Sequence, residues 1–350
     1  MYNVTAAGGR KYPLHPRQID SLLAGDGHSV ISATIAPTNE CNLNCPYCNQ
    51  QNREKNISLP LETIKKFVDA LIPRGLEGVV ISGGGEPTKY RQFNELIKWL
   101  KNEKELALGL ITNGTNTRCG DEIVNTWDKF DWIRVSLNFI NNKLLAIRVP
   151  NNKDGKIGFS FVYTDQPKEI LEQVAKIAEA FKAKFVRVMV DVNKSNMQAN
   201  EAIEKLNEMT KNFDNKDIFV FQKKGQVPPK TAHCHVAKIK TFLCPDGKLA
   251  PCDCFPSLVD SKGNKIGGIL PDKFNLAKGG IENYLDILDG KKSVDFNPLE
   301  DCNTCAYAAN NNVLEQLFIL KAKHPKASAT QLFEMLGMKA PDNVTDTKFV

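Results

Sequence analysis

From residue 30 to residue 222, short β-branched runs alternate with stretches whose apolar residues recur every three or four positions. Such alternation predicts βαβ units building a parallel sheet. Strands are expected at residues 30–36, 78–82, 107–112, 132–138, 157–164 and 185–192, all of them short and apolar. Between them, residues 61–72 follow Ser58 and Pro60 as an N-terminal helix signal, and Phe93, Leu96, Ile97 and Leu100 share one helical face. Over 167–182, Ile170, Val174, Ile177 and Phe181 recur at helical spacing, which marks them as core. Residues 196–213 read as a further helix and 218–221 as a short closing strand.

The pattern then changes. The loop 222–230, with Gly225, Pro228 and Pro229, marks a domain boundary. Beyond it, 239–243, the turn Pro245-Asp246-Gly247 and 248–251 read as a hairpin, and 312–322 and 330–336 as helices. A chain of 350 residues suits one large domain plus a smaller one. The expected division is an N-terminal extension (1–29), a main domain (30–225), a smaller cysteine-bearing domain (226–310) and a C-terminal helical segment (311–350).

Composition narrows the classes. Hydrophobic residues at 42% and charged residues at 25% are globular values, which argues against disorder. The N-terminus lacks the apolar stretch of a signal peptide, and no apolar run nears the roughly 20 residues that span a bilayer, so a cytoplasmic protein without a membrane partner is expected. The net charge of +6 comes from 46 basic and 40 acidic residues spread along the chain, which gives no strong nucleic-acid signal but suits an anionic cofactor or substrate. Ten cysteines without an export signal read as metal ligands or reactive thiols, because the cytosol keeps thiols reduced.

The first cysteine group is Cys41-Asn-Leu-Asn-Cys45-Pro-Tyr-Cys48, in a loop just after a predicted strand. Three thiolates at this spacing can converge on one iron-sulfur cluster and leave one iron open to an exogenous chelator. A zinc site completed by a distant histidine is the alternative. The loop, with Tyr47 before the last cysteine, resembles the signature of the radical S-adenosylmethionine (SAM) superfamily. Ser82-Gly83-Gly84-Gly85-Glu86-Pro87 resembles that family's glycine-glycine-glutamate-proline motif, which contacts the SAM amino group; of three glycines in a row, Gly84 and Gly85 are taken as the match. The resemblance runs over about residues 30–222 and implies an α/β fold, a partial (β/α)6 TIM-type barrel with a small cysteine-rich α+β C-terminal domain. It further implies a SAM-binding (4Fe-4S) cluster on Cys41, Cys45 and Cys48. Cofactor contacts are expected from Tyr47, Gly84, Gly85, Glu86, Pro87, Asn113, Ser136, Asn138 and Arg187, with Arg148 a further candidate.

A second metal pattern comprises Cys234, Cys252 and the pair Cys302-Asn-Thr-Cys305. It resembles the auxiliary-cluster domains called SPASM and twitch. The absence of cysteines after Cys305 points to the shorter twitch type, with a second (4Fe-4S) cluster on these four residues. A zinc ribbon on the same thiolates, with His233 or His235, is the alternative. Cys244 and Cys254 are open between ligands, buried hydrophobes and a radical-quenching thiol; Cys119, His15, His28 and His324 have no assigned role.

The resemblance implies reductive cleavage of SAM to a 5'-deoxyadenosyl radical that abstracts a substrate hydrogen. Oxidation, epimerisation or crosslinking of a small metabolite or peptide would follow. An electron donor such as flavodoxin or ferredoxin is the implied partner. Peptide-maturing relatives often carry a leader-binding domain of about 80 residues before the first cysteine motif. Only 40 residues precede Cys41, which leans toward a sugar, nucleotide or amino-acid-derived substrate. A glycyl-radical activase and a non-catalytic metal scaffold are the competing functions.

Overall fold

The computed structural model describes residues 9–115, 126–149, 155–192, 194–222, 227–257, 266–342 and 346–350. Its centre is a nine-stranded sheet among the described residues, ordered β11-β10-β1-β2-β3-β4-β7-β8-β9. The strands are β1 (Ser32–Ile35), β2 (Gly78–Ile81), β3 (Ala107–Thr112), β4 (Trp132–Leu137), β7 (Ile157–Tyr163), β8 (Val186–Val190), β9 (Phe219–Gln222), β10 (Lys240–Leu243) and β11 (Leu249–Ala250). Between β4 and β7 lies a miniature hairpin, β5 (Phe139–Ile140) with β6 (Lys143–Leu144), turned by Asn141 and Asn142 at positive φ. All pairings in the large sheet are parallel except β10 with β11. The sheet is open, so the fold is a partial barrel.

Helices cover it for the reason their spacing gives. Leu61–Leu71 buries Leu61, Ile64, Phe67, Val68 and Leu71 on one stripe, and Lys168–Ala180 buries Ile170, Leu171, Val174, Ala175 and Ala178. Asn196–Thr210 opens with a capping box from Ser195 and Gln198. The face predicted around 93–100 is split, α-helical over Phe93–Lys98 and wider, with i to i+5 bonding, over Trp99–Glu103.

The hairpin expected in the cysteine-rich part exists as β10 and β11, and β10 joins the main sheet as the parallel neighbour of β1, Ser32 opposite Lys240. β1 can therefore be buried at all four positions. A second apolar cluster unites the helices Pro16–Ala24, Ala308–Lys323 and Ala329–Met335 through Ile19, Leu22, Leu314, Leu317, Leu332 and Phe333. Residues 346–350 cross the starting ends of the strands, where Phe349 packs edge-on to Trp132 at 5.5 Å. No described helix is long and apolar enough to cross a membrane.

Candidate active site and a second cysteine site

Parallel strands all deliver their loops to one end of the sheet, and the first cysteine loop lies there, after β1. Its base is cinched by the Asn39 N–H to Ile57 O bond (2.8 Å) and the Thr38–Ser58 hydroxyl pair (2.7 Å). Beyond that neck, Cys41 and Cys45 border a cleft with Ser82, Glu86, Pro87, Ile111, Asn113, Ser136 and Asn138. Donors surround the sulfurs: Leu43 N–H lies 3.4 Å from Cys41 Sγ and Gln50 N–H 3.4 Å from Cys48 Sγ. Arg53 Nη1 stands 3.7 Å from Cys48 Sγ, held by bonds to Asn39 O (3.1 Å) and Gln50 O (2.7 Å). Burial pushes the Cys41 and Cys45 thiols up, and the neighbouring sulfurs push further. Half-buried, closely spaced thiols raise one another's pKa, while N–H donors and a guanidinium wait at their sulfurs, an arrangement that suits thiolates held on a cationic iron-sulfur core.

The glycine run is shaped by the same loop. Gly85 N–H donates to Thr38 O (3.0 Å) and Glu86 N–H to Glu40 O (2.7 Å), and a Cβ on Gly85 would run into Glu40 O. Gly83 and Gly85 border the cleft, whereas Gly84 faces Asn39 and Pro245. The Glu86 carboxylate, 2% exposed, accepts from Thr88 N–H (3.1 Å), Thr88 Oγ1 (2.7 Å), Thr112 Oγ1 (2.6 Å) and Asn113 N–H (2.7 Å). Burial raises its pKa and these donors pull it back, so Glu86 ties the end of β2 to the end of β3. Asn138 Oδ1 accepts from the Tyr47 hydroxyl (3.1 Å) and lies 3.9 Å from Cys45 Sγ. Ser136 Oγ is 3.3 Å from Ser160 Oγ.

Besides Gly84, two further expected residues lie elsewhere. Arg148 is exposed and bonds Gly114 O through its backbone. Arg187 does not border the cleft; its Nε donates to Gln222 Oε1 on β9.

Cys234, Cys252, Cys302 and Cys305 come together around one largely apolar pocket, with Phe255, Phe274 and Phe296 among its walls. Cys254, 2% exposed, borders it as a fifth thiol. Burial pushes Cys234 and Cys302 up to about 12 and Cys305 up to about 11, and neighbouring thiols add to each shift. Thr304 Oγ1 is buried there with no hydrogen-bond partner among the described residues. A thiol-rich, largely apolar site with a buried, unpartnered hydroxyl donor fits an iron-sulfur cluster, whose sulfides would accept that hydroxyl. Outside the pocket, His233 and His235 share Glu315 Oε2, at 3.3 and 2.7 Å. Cys244 is buried in the β10–β11 turn, where its N–H donates to Lys248 O (2.9 Å). His15 contacts Thr347 O (2.8 Å), His28 contacts Asp26 (3.4 Å), and His324 ends the helix Ala308–Lys323. Cys119 lies outside the described residues.

The two cysteine sites occupy opposite ends of one sheet. Cys41 follows the finishing end of β1, while β11 runs back against β10 and returns Cys252 to the starting end. With strands of four to seven residues at about 3.3 Å each, the ends stand on the order of 15–20 Å apart. Arg53, Thr304 and the pocket placement of Cys254 were not singled out from sequence. Nothing in their local pattern marks them: Arg53 turns back on its own loop to reach Cys48, and Thr304 and Cys254 come together only when the separate cysteine segments close on one pocket.

Residues 35–206 match the Radical SAM superfamily model. A stretch of 120 residues is 30% identical to a protein named "Probable GTP 3',8-cyclase" from Methanococcus vannielii, covering 33% of this chain and 39% of that one. Another of 159 residues is 25% identical to an S-adenosylmethionine-dependent nucleotide dehydratase from Selenomonas ruminantium, covering 45% of this chain and 55% of that one. The matches thus span about two fifths to just over half of the relatives' own length. In fold, the chain is similar to Streptococcus suis SuiB bound to its precursor peptide SuiA, at TM-score 0.52 and 17% identity, over 82% of this chain and 73% of that one.

Proposed function

We propose that this chain, whose residues 35–206 match the Radical SAM superfamily model, is a radical SAM enzyme that cleaves SAM reductively and abstracts a hydrogen atom from a small substrate held inside the partial barrel. When bound, the SAM and (4Fe-4S) pair supplies one-electron cleavage of the sulfonium carbon-sulfur bond, yielding methionine and a 5'-deoxyadenosyl radical.

The carrying observation is the cleft at the finishing ends of β1 to β4, where Cys41 and Cys45 meet Glu86, Asn113, Ser136 and Asn138. Cys41, Cys45 and Cys48 would hold the cluster, and Leu43 N–H, Gln50 N–H and Arg53 offset the charge gathered on their sulfurs. The glycine run lets backbone approach the ligand, and Glu86 fixes the strand ends so that the approach is reproducible. Tyr47 and Asn138 brace the loop from the fourth strand. Cys234, Cys252, Cys302 and Cys305 would hold a second cluster, with Cys254 a further thiol at hand. Flavodoxin or ferredoxin would supply the electron.

The named activities of the two relatives concern nucleotides, which supports a small metabolite as substrate and leaves cyclisation and dehydration beside oxidation and epimerisation as outcomes. The test is anaerobic reconstitution with iron and sulfide, followed by SAM and dithionite, comparing wild type with a Cys41, Cys45 and Cys48 triple alanine variant. About eight irons per chain and 5'-deoxyadenosine release lost in the variant are expected. Zinc in place of iron, with no release from wild type, would end this reading.

A further inference from the structure

The inside of the sheet carries charge that the cysteine sites do not use. In a parallel sheet, register partners share a face, and so do residues two apart on one strand. Ser136 borders the cleft, and the register places Ser136, Ser160 and Arg187 in one row across β4, β7 and β8. Arg134, two residues before Ser136, shares that face one layer nearer the second cysteine site, between Ile111, which also borders the cleft, and Gly158. Both arginines are half-buried.

Neither guanidinium is neutralised in the way a structural arginine usually is. Arg134 Nε is enclosed with no hydrogen-bond partner among the described residues, and Arg187 uses its Nε on the uncharged Gln222. Among the described residues, Asp253 is the carboxylate acting on both, and it also accepts from the Tyr307 hydroxyl (2.9 Å). Two guanidinium groups thus share one carboxylate among the described residues. Burial lowers both pKa values, and for Arg134 the neighbouring Arg187 lowers it further, to about 9.

We propose that Arg134 and Arg187 form the recognition site for an anionic group, a carboxylate or a phosphate, on the substrate, which then lies between the two cysteine sites. Guanidinium forks suit both oxyanions, and a desolvated pair of them disfavours any neutral ligand. This names a substrate class and rests on the reading of the cleft as a SAM site.

The test uses the doubly reconstituted holoenzyme with SAM present and titrates inorganic pyrophosphate and malonate calorimetrically. Saturable binding of at least one probe is expected, weakened about tenfold or more in Arg134→Gln and in Arg187→Gln, with unchanged iron content and unchanged SAM affinity by equilibrium dialysis. Tighter pyrophosphate binding would identify a phosphate and tighter malonate binding a carboxylate. Should a glutamine variant lose iron, Arg134→Lys and Arg187→Lys carry the test, with weakened probe binding again expected. No saturation of wild type by either probe overturns the proposal, as does unchanged probe affinity in the variants. A parallel loss of SAM affinity also overturns it, because the arginines would then serve the cofactor. 5'-Deoxyadenosine release is assayed alongside: wild type that binds a probe without releasing it refutes the radical chemistry and leaves the anion site standing.

Discussion

Gly85 is the position where one carbon atom decides whether the cysteine loop can dock. A methyl there runs into Glu40 O, next to Cys41, and cannot be accommodated by turning a side chain because the obstacle is backbone. Gly85→Ala is expected to lose about four irons per chain after reconstitution while the second site keeps its own, read by iron analysis. Glu86 makes a different demand. Its carboxylate receives four donors, and an amide must turn an NH2 toward one of them. Glu86→Gln should therefore lower stability by about 1–3 kcal/mol, measured as a shifted urea midpoint at unchanged slope. An unshifted midpoint would mean that Glu86 is dispensable to the fold and serves the ligand alone.

At the scale of elements, the helix Ala329–Met335 starts on a capping box between Ser328 and Gln331, and Asp20 Oδ1 accepts its first N–H at 2.7 Å from the helix Pro16–Ala24. Ser328→Ala should cost about 1 kcal/mol of stability, with no change in iron content, by chemical denaturation. The same scale shows what could be read beforehand. The strands and the helices with strong apolar stripes were legible because local periodicity sets them: Ile170 and Val174 face the sheet for the same reason that they recur in sequence. Cys41, Cys45 and Cys48 were legible because their spacing is short. The helix Pro16–Ala24 was not, since its few apolar positions form a face only against Ala308–Lys323 and Ala329–Met335. Arg187 stood out as a charge in an apolar run, and Arg134 on β4 carries the same signal. That the two share one inner face depends on strand order and register, which the linear pattern does not contain.

For the whole molecule, the decisive fact is that β10 completes the sheet beside β1. A fragment ending at residue 222 would leave the fully buried β1 as an open edge, and such edges recruit other chains. That fragment is expected to sediment as aggregate where the full chain stays in the supernatant. A soluble fragment with a cooperative melt would show that residues 30–222 stand alone. By contrast, replacing Cys302 and Cys305 with alanine leaves the sheet intact. About four irons should be lost while 5'-deoxyadenosine release persists, by paired iron and product assays.

The pairing of Ser32 with Lys240 joins positions 208 apart along the chain (240 − 32). Contacts of such long range slow folding, because the loop must close before the pairing repays it. During synthesis, the segment bearing Cys41 emerges long before its neighbour at 240–243, so the first strand waits with one side unpaired and its thiols exposed. At about 5–20 residues per second the wait is on the order of 10–40 seconds, an interval in which the nascent chain is open to holdase binding, premature oxidation or early metal capture.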